Sequence, residues 1–288
     1  MTEPALNPES GFRRLKLDLA YDGTQYAGWA KQPDQKTLQG SLEDVFSRLI
    51  RSPVTTVVAG RTDAGVHATG QVVHIDIPTN LEPSRYRPSE DLWDFEHLKF
   101  RLNQMLEEDI RILNVDLAPI NFDARYSATA RHYRYTLLDG NQDLPPLKRF
   151  DAATWFRPLD IDLMNAGSSS LLGRHDFATF CRYREGATTL RTLLEFRWSR
   201  NSEGFVLCDI AADGFGWNMV RNLVGAAVCV GEGRFPIEWM KQILKATARV
   251  SDSYVFPARG LTLVKVDYPS AQELANFTAF DPTVSPSF

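Results

Sequence analysis

From Val54 to Ile77 the chain passes through a β-branched segment, a tight connection and an alternating segment, and its reactive side chains crowd into the connection. Val54 to Val58 contains only valine and threonine, the composition of a strand. Val73, Ile75 and Ile77 alternate with His74 and Asp76, the period of a strand with one buried face. Between the two segments, glycines at 60, 65 and 70 let the backbone turn or come close to a ligand. Arg61 and Asp63 project from this connection two residues apart. A carboxylate beside a guanidinium stays ionised, with its pKa lowered by roughly one to three units. Residue types alone leave two readings of Asp63, a turn or cap residue paired to Arg61 or a reactive carboxylate.

At 288 residues and 32.5 kDa the chain can bury a sizeable core, as one large domain or two. Its apolar share of 43% and charged share of 24% are those of a soluble globular protein. The net charge of −4 provides no overall basic footprint, so a nucleic-acid surface has to come from local clustering of arginines. Cys181, Cys208 and Cys229 are widely spaced and form no C-x-x-C pair, and the histidines show no H-x-x-x-H spacing. That argues against a zinc site and for reduced thiols in the cytoplasm. Met1 to Ser10 is polar with two prolines, unlike a signal peptide, and the apolar run Leu223 to Val230 is too short to span a bilayer.

Along the chain, residues 1–11 read as a disordered lead-in. Leu15, Leu17 and Leu19 predict a strand that ends at Tyr21-Asp22-Gly23-Thr24. Thr37 is placed to cap a helix with Leu38, Leu42, Val45, Phe46, Leu49 and Ile50 on one stripe, closed by Pro53. A loop over 79–90 precedes a helix through Leu98, Leu102, Met105 and Leu106, then a strand with Leu113, Val115 and Leu117 inward. Asp139 to Arg149 is the best boundary between two halves, 12–138 and 150–268. The second half reads as a helix from Leu163 to Leu172 ending at Gly173, strands at Leu193–Trp198 and Phe205–Ile210, and a helix from Trp217 to Val230. A further helix from Pro236 to Ala248 leads to a last strand from Gly260 to Tyr268. Residues 269–288, with three prolines, read as a loose tail. Strands often follow one another directly, which argues an α+β fold with largely antiparallel sheet.

Four further stretches carry chemistry. Phe122 to Tyr135 interleaves Arg125, Arg131 and Arg134 with Tyr126, Tyr133 and Tyr135, a supply of phosphate contacts and stacking faces. The same pattern also fits a strand with buried aromatics and solvated arginines. Arg182, Arg184 and Arg191 form a second basic patch on a loop. Asn218-Met219-Val220-Arg221-Asn222 opens a helix rich in small apolar residues, so Arg221 is expected to be buried and in need of an anion. Tyr26 to Gln32 completes the set.

Gly60-Arg61-Thr62-Asp63-Ala64-Gly65-Val66-His67 resembles the signature of the tRNA pseudouridine synthase A family, in which the aspartate is catalytic. Tyr21-Asp22-Gly23-Thr24, Gly28-Trp29, Phe122 to Tyr135, Asp176-Phe177 and Met219-Val220-Arg221-Asn222 extend the resemblance over nearly the whole chain. Ala30, Glu107 and Asp123 depart from it, standing where relatives usually have Gln, Pro and His. The resemblance implies two α+β halves, the pseudouridine synthase fold, whose sheets join over a central catalytic cleft. It implies Asp63 as the catalytic carboxylate, with Arg61 and Arg221 holding it ionised and Tyr133 facing the target base. Arg125, Arg131 and Arg182 are the expected RNA contacts beside Tyr133. It implies further a homodimer that isomerises uridines at tRNA positions 38–40, in the anticodon stem-loop, with no metal or other cofactor. The competing readings are a tRNA-binding protein without catalysis and a glycoside hydrolase, which normally needs a second placed carboxylate.

Overall fold

The computed structural model describes residues 11–78, 94–119, 121–246 and 254–276. The lead-in before Gly11, the loop expected over 79–90 and the tail from 277 lie outside the described residues; the helix expected to reach Ala248 already stops at Lys245, where Ala246 is extended.

Strand β1 (Phe12–Tyr21) buries Leu15, Leu17, Leu19 and Tyr21, as its alternation dictates. Helix α1 (Leu38–Ile50) starts where the Thr37 hydroxyl accepts the Gly40 N–H, and buries Leu38, Leu42, Val45, Phe46 and Ile50. It stops at Arg51, whose left-handed backbone (φ 58°) turns the chain before Pro53 is reached. Strands β2 (Thr56–Val58) and β3 (His67–Pro78) flank the loop that carries Asp63. Helix α2 (Phe95–Met105), capped by the Asp94 carboxylate, packs on β4 (Ile110–Leu117). Then follow β5 (Ala130–Leu138), the short β6 (Ala153–Thr154), α3 (Ile161–Ser169), β7 (Gly173–Asp176), β8 (Leu190–Arg200) and β9 (Val206–Ala212). Helices α4 (Met219–Gly231) and α5 (Glu238–Lys245), strand β10 (Leu261–Asp267) and helix α6 (Ala271–Asn276) complete the described chain.

The fold is α+β. The strands form one sheet in the order β4-β1-β3-β10-β5-β9-β8-β7, with β2 beside β3 and β6 beside β5. All pairs are antiparallel except β10 with β3 and β5 with β6. Strand β10, late in the chain, lies between β3 and β5, so it joins the two ends of the sheet just behind the Asp63 loop. At that seam Gly70 faces β10 so closely that a Cβ would lie 2.3 Å from the Val264 carbonyl oxygen. Gly70 therefore belongs to strand β3, and the connection is shorter than its glycines suggest.

Three other expectations need correction. In β4 the register against β1 shifts between Asp18 and Leu19, opposite Asn114 and Ile112; Leu113 is the extra residue and is 48% exposed. The inward residues are Ile110, Ile112 and Val115. Helix α3 begins earlier than expected, because Asp160 caps the N–H groups of Asp162 and Leu163, and it ends at Ser169; Gly173 starts β7 instead of closing the helix. The segment expected to be a loose tail includes α6, anchored by the buried Leu274, whose carbonyl accepts a hydrogen bond from the Asn121 amide.

Candidate active site

The loop between β2 and β3 is fixed by its own backbone and by three side chains. Ala59 N–H donates to Val72 O at 2.9 Å, Trp29 N–H to Thr62 O at 2.9 Å, and Val66 N–H to Asp63 O at 3.1 Å. The Gln71 amide donates to Gly60 O at 2.8 Å and to the Tyr21 hydroxyl at 3.1 Å, and that hydroxyl meets Thr62 Oγ1 at 2.8 Å. With its neighbours tied down, Asp63 presents a side chain 34% exposed.

The partner of Asp63 comes from far along the chain. Arg221 lies in the first turn of α4, where its Nη1 stands 3.9 Å from Asp63 Oδ2. Its Nε donates to Phe256 O at 2.6 Å and Nη1 to Asn218 Oδ1 at 3.3 Å, which fixes the fork in place. Asn218 has the left-handed backbone (φ 62°) that turns the chain into the helix. Helix α4 rests directly on the backbone of Tyr254: a Cβ at Gly225 would lie 1.7 Å from Tyr254 O. The Asn222 amide donates to Phe180 O at 2.7 Å and ties the helix to that segment as well.

Burial pushes the Asp63 carboxyl above its usual range, while the Arg221 guanidinium and then a hydrogen bond from the Trp217 indole pull it back. This corrects the expectation of a lowered pKa, since desolvation outweighs the nearby charge. It also changes the partner. Arg61 is exposed and makes no ion pair or hydrogen bond among the described residues; Arg221 is the guanidinium beside Asp63.

Tyr133 is buried on β5, opposite Leu263 of β10 and Ile210 of β9. Its ring meets Phe215 edge to face at 5.3 Å, and its hydroxyl points to Gly60, 3.8 Å from where a Cβ would stand. Burial pushes its phenol up to about 12, with Arg131 lowering it and Asp63 raising it. Asp63, Arg221 and Tyr133 therefore meet at the sheet seam.

The expected RNA contacts divide. Arg182 is exposed and stacks on the Trp217 ring at 4.1 Å, and its N–H donates to Trp217 O at 2.8 Å. Arg125 is exposed over the Tyr126 ring at 5.2 Å. Arg131 turns inward, its guanidinium spent on main-chain oxygens. Among the departures, Asp123 accepts the N–H groups of Arg125 and Tyr126 within its own turn, and Glu107 pairs with Lys36. The sequence pointed to neither Trp217 nor Phe215. Their only signal was two aromatics just ahead of Met219-Val220-Arg221-Asn222.

The family model described as tRNA pseudouridine synthase matches residues 19–127 and 168–269. Proteins named tRNA pseudouridine synthase A are similar along almost the whole chain. That of Frankia casuarinae is 49% identical, covering 92% of this chain and 93% of its own, and that of Mycobacterium leprae is 46% identical, covering 96% of each. The protein of that name from Cutibacterium acnes is 44% identical, with 92% of each chain covered. The chain belongs to the tRNA pseudouridine synthase family.

Proposed function

We propose that this protein isomerises uridine to pseudouridine in tRNA, with Asp63 as the catalytic carboxylate. The observation that carries the reading is the Asp63–Arg221 pair, 3.9 Å apart, formed where two signatures distant in sequence meet beside Tyr133. The reaction breaks the bond between ribose C1′ and N1, turns the base, and rejoins C1′ to C5, whose proton is then lost. A carboxylate near the sugar serves it as a nucleophile at C1′ or as a base that forms a glycal. Arg221 and Trp217 keep Asp63 ionised and aimed, and Tyr133 faces the base, which must first leave its stack.

The finer parts of the reading rest on the resemblance. The targets are uridines at tRNA positions 38–40 in the anticodon stem-loop, and the working unit is a homodimer in the cytoplasm. Cys181, Cys208 and Cys229 are buried and form no disulfide with one another, which suits that compartment. Among the described residues no helix is long and apolar enough to cross a membrane. Arg125 and Arg182 contact RNA, and Arg61, exposed on the Asp63 loop, is available to a phosphate or to the sugar. The division into halves 12–138 and 150–268 belongs to the same proposal.

The test is to incubate an unmodified tRNA transcript with the protein alone and map pseudouridine. We expect it at positions 38–40. RNA binding without pseudouridine would leave a tRNA-binding protein that has lost catalysis.

A further inference from the structure

An arginine has five N–H bonds to donate and no acceptor. Arg131, on β5 two residues before Tyr133, gives all five to main-chain oxygens. Nε and Nη2 reach Ala59 O at 3.3 and 2.9 Å. Nη1 reaches Ala128 O at 3.1 Å and Asp213 O at 2.7 Å, and Nη2 also donates to Arg125 O. These oxygens belong to three separate segments. Ala59 immediately precedes Gly60-Arg61-Thr62-Asp63, so its carbonyl sits at the root of the Asp63 loop. Asp213 opens the stretch that carries Phe215 and Trp217 into α4 and on to Arg221. Arg125 and Ala128 belong to the turn that leads into β5.

We propose that Arg131 is a positioning residue of the reaction, the knot that sets the Asp63 loop against the segment leading to Trp217 and Arg221, and not a contact to RNA. The inference rests on the catalytic reading of Asp63 given above. Four carbonyl oxygens aimed at one point repel one another, and a cation between them with donors in four directions removes that repulsion. With no donor left over, the guanidinium has nothing to offer a phosphate without letting go of the loop. Lysine cannot stand in, because its ammonium is a point charge with three donors and no planar fork. Binding carried by phosphate contacts elsewhere would survive its loss.

The test is Arg131→Lys, with its melting temperature checked first. Under saturating tRNA the single-turnover rate should fall at least about a hundredfold, because a small misplacement of the reacting groups is costly. Affinity should stay within about threefold, and the slope of log affinity on log salt should not change. A phosphate contact would behave in the opposite way, with the slope smaller by about 0.7–0.9 and the saturated rate kept. That result, or a variant that matches wild type in rate and affinity, would overturn the inference. A measurement on the wild-type protein serves if the variant does not fold. The Arg131 Nε–H resonance should exchange slowly with water and keep its shift when an anticodon stem-loop RNA is added; a large shift on binding would overturn the inference. Asp63→Asn, assayed alongside, tests the catalytic assignment separately: full turnover there removes Asp63 from its role whatever Arg131 does.

Discussion

Asp63 is a carboxylate held in a fold that disfavours its charge, and two neighbours oppose that effect. With Asp63 as the proposed catalytic carboxylate, turnover needs its ionised form, so the rate should fall as pH drops through its raised pKa. Trp217→Phe keeps the ring under Arg182 and removes the indole N–H. The acid limb of its pH–rate profile should then move to higher pH, and an unmoved limb would show that the indole does not act on the carboxylate. Tyr133 presents the reverse case. With its phenol pushed up to about 12, it is protonated at neutral pH and no alkaline limb should arise from it below about pH 10. If its hydroxyl relays the proton at C5, Tyr133→Phe should bind tRNA normally and turn over about a hundredfold more slowly or worse. Tyr133→Leu should lose stacking as well, worth roughly 1–3 kcal/mol of binding. Single-turnover rates decide between ring and hydroxyl: a Phe variant within a fewfold of wild type leaves the ring as the whole contribution. That Asp63, Tyr133 and Arg221 come together was legible in the sequence because each stands in a string that resembles a family signature. Trp217 was not, since its contact with Asp63 joins positions 154 residues apart (217 − 63). The pairing of Asp63 with Arg61 misled for the same reason, because nearness in sequence says nothing about which way a guanidinium turns.

At the scale of elements, local rules read well. Thr37 caps α1 and the apolar stripe behind it is buried, because cap and period are both set within four residues. Features that depend on a distant partner were hidden. The bulge at Leu113 is a matter of register against β1, α6 depends on a site for Leu274, and Gly70 is required by β10, nearly two hundred residues later (264 − 70 = 194). Helix α4 makes a testable case of such a contact. Gly225→Ala places a methyl 1.7 Å from Tyr254 O, so the helix has to move away from the segment whose Phe256 carbonyl holds Arg221. Overpacking of this kind costs about 1–3 kcal/mol. Thermal melts should show that loss, and the saturated rate should fall while tRNA affinity changes little. A variant with wild-type melting and wild-type rate would show that Arg221 does not depend on this packing.

For the whole molecule, the proposed RNA contacts have to act in a chain whose net charge is −4. Arg61, Arg125 and Arg182 are exposed, whereas acidic residues such as Asp139 and Asp209 are paired with Arg200 and Arg134. Local arginines release counterions whatever the total charge, so tRNA affinity should fall linearly with log salt. A flat plot would contradict an arginine-lined RNA surface. The protein should also run as a dimer in light scattering; a mass of 32.5 kDa at working concentration with full activity would contradict the homodimer. The central claim is that one carboxylate does the chemistry while binding is carried elsewhere, and Asp63→Asn tests it most directly. The raised pKa of Asp63 means that the fold binds its proton more tightly than the unfolded chain does. Stability therefore declines as pH rises through that window, and a neutral Asn should melt no lower than wild type at neutral pH. A folded variant is thus expected, so its rate can be interpreted. Single-turnover pseudouridine formation at saturating tRNA should vanish in Asp63→Asn with affinity unchanged, and turnover above about a tenth of wild type, where loss of a reacting group costs several powers of ten, would contradict the account.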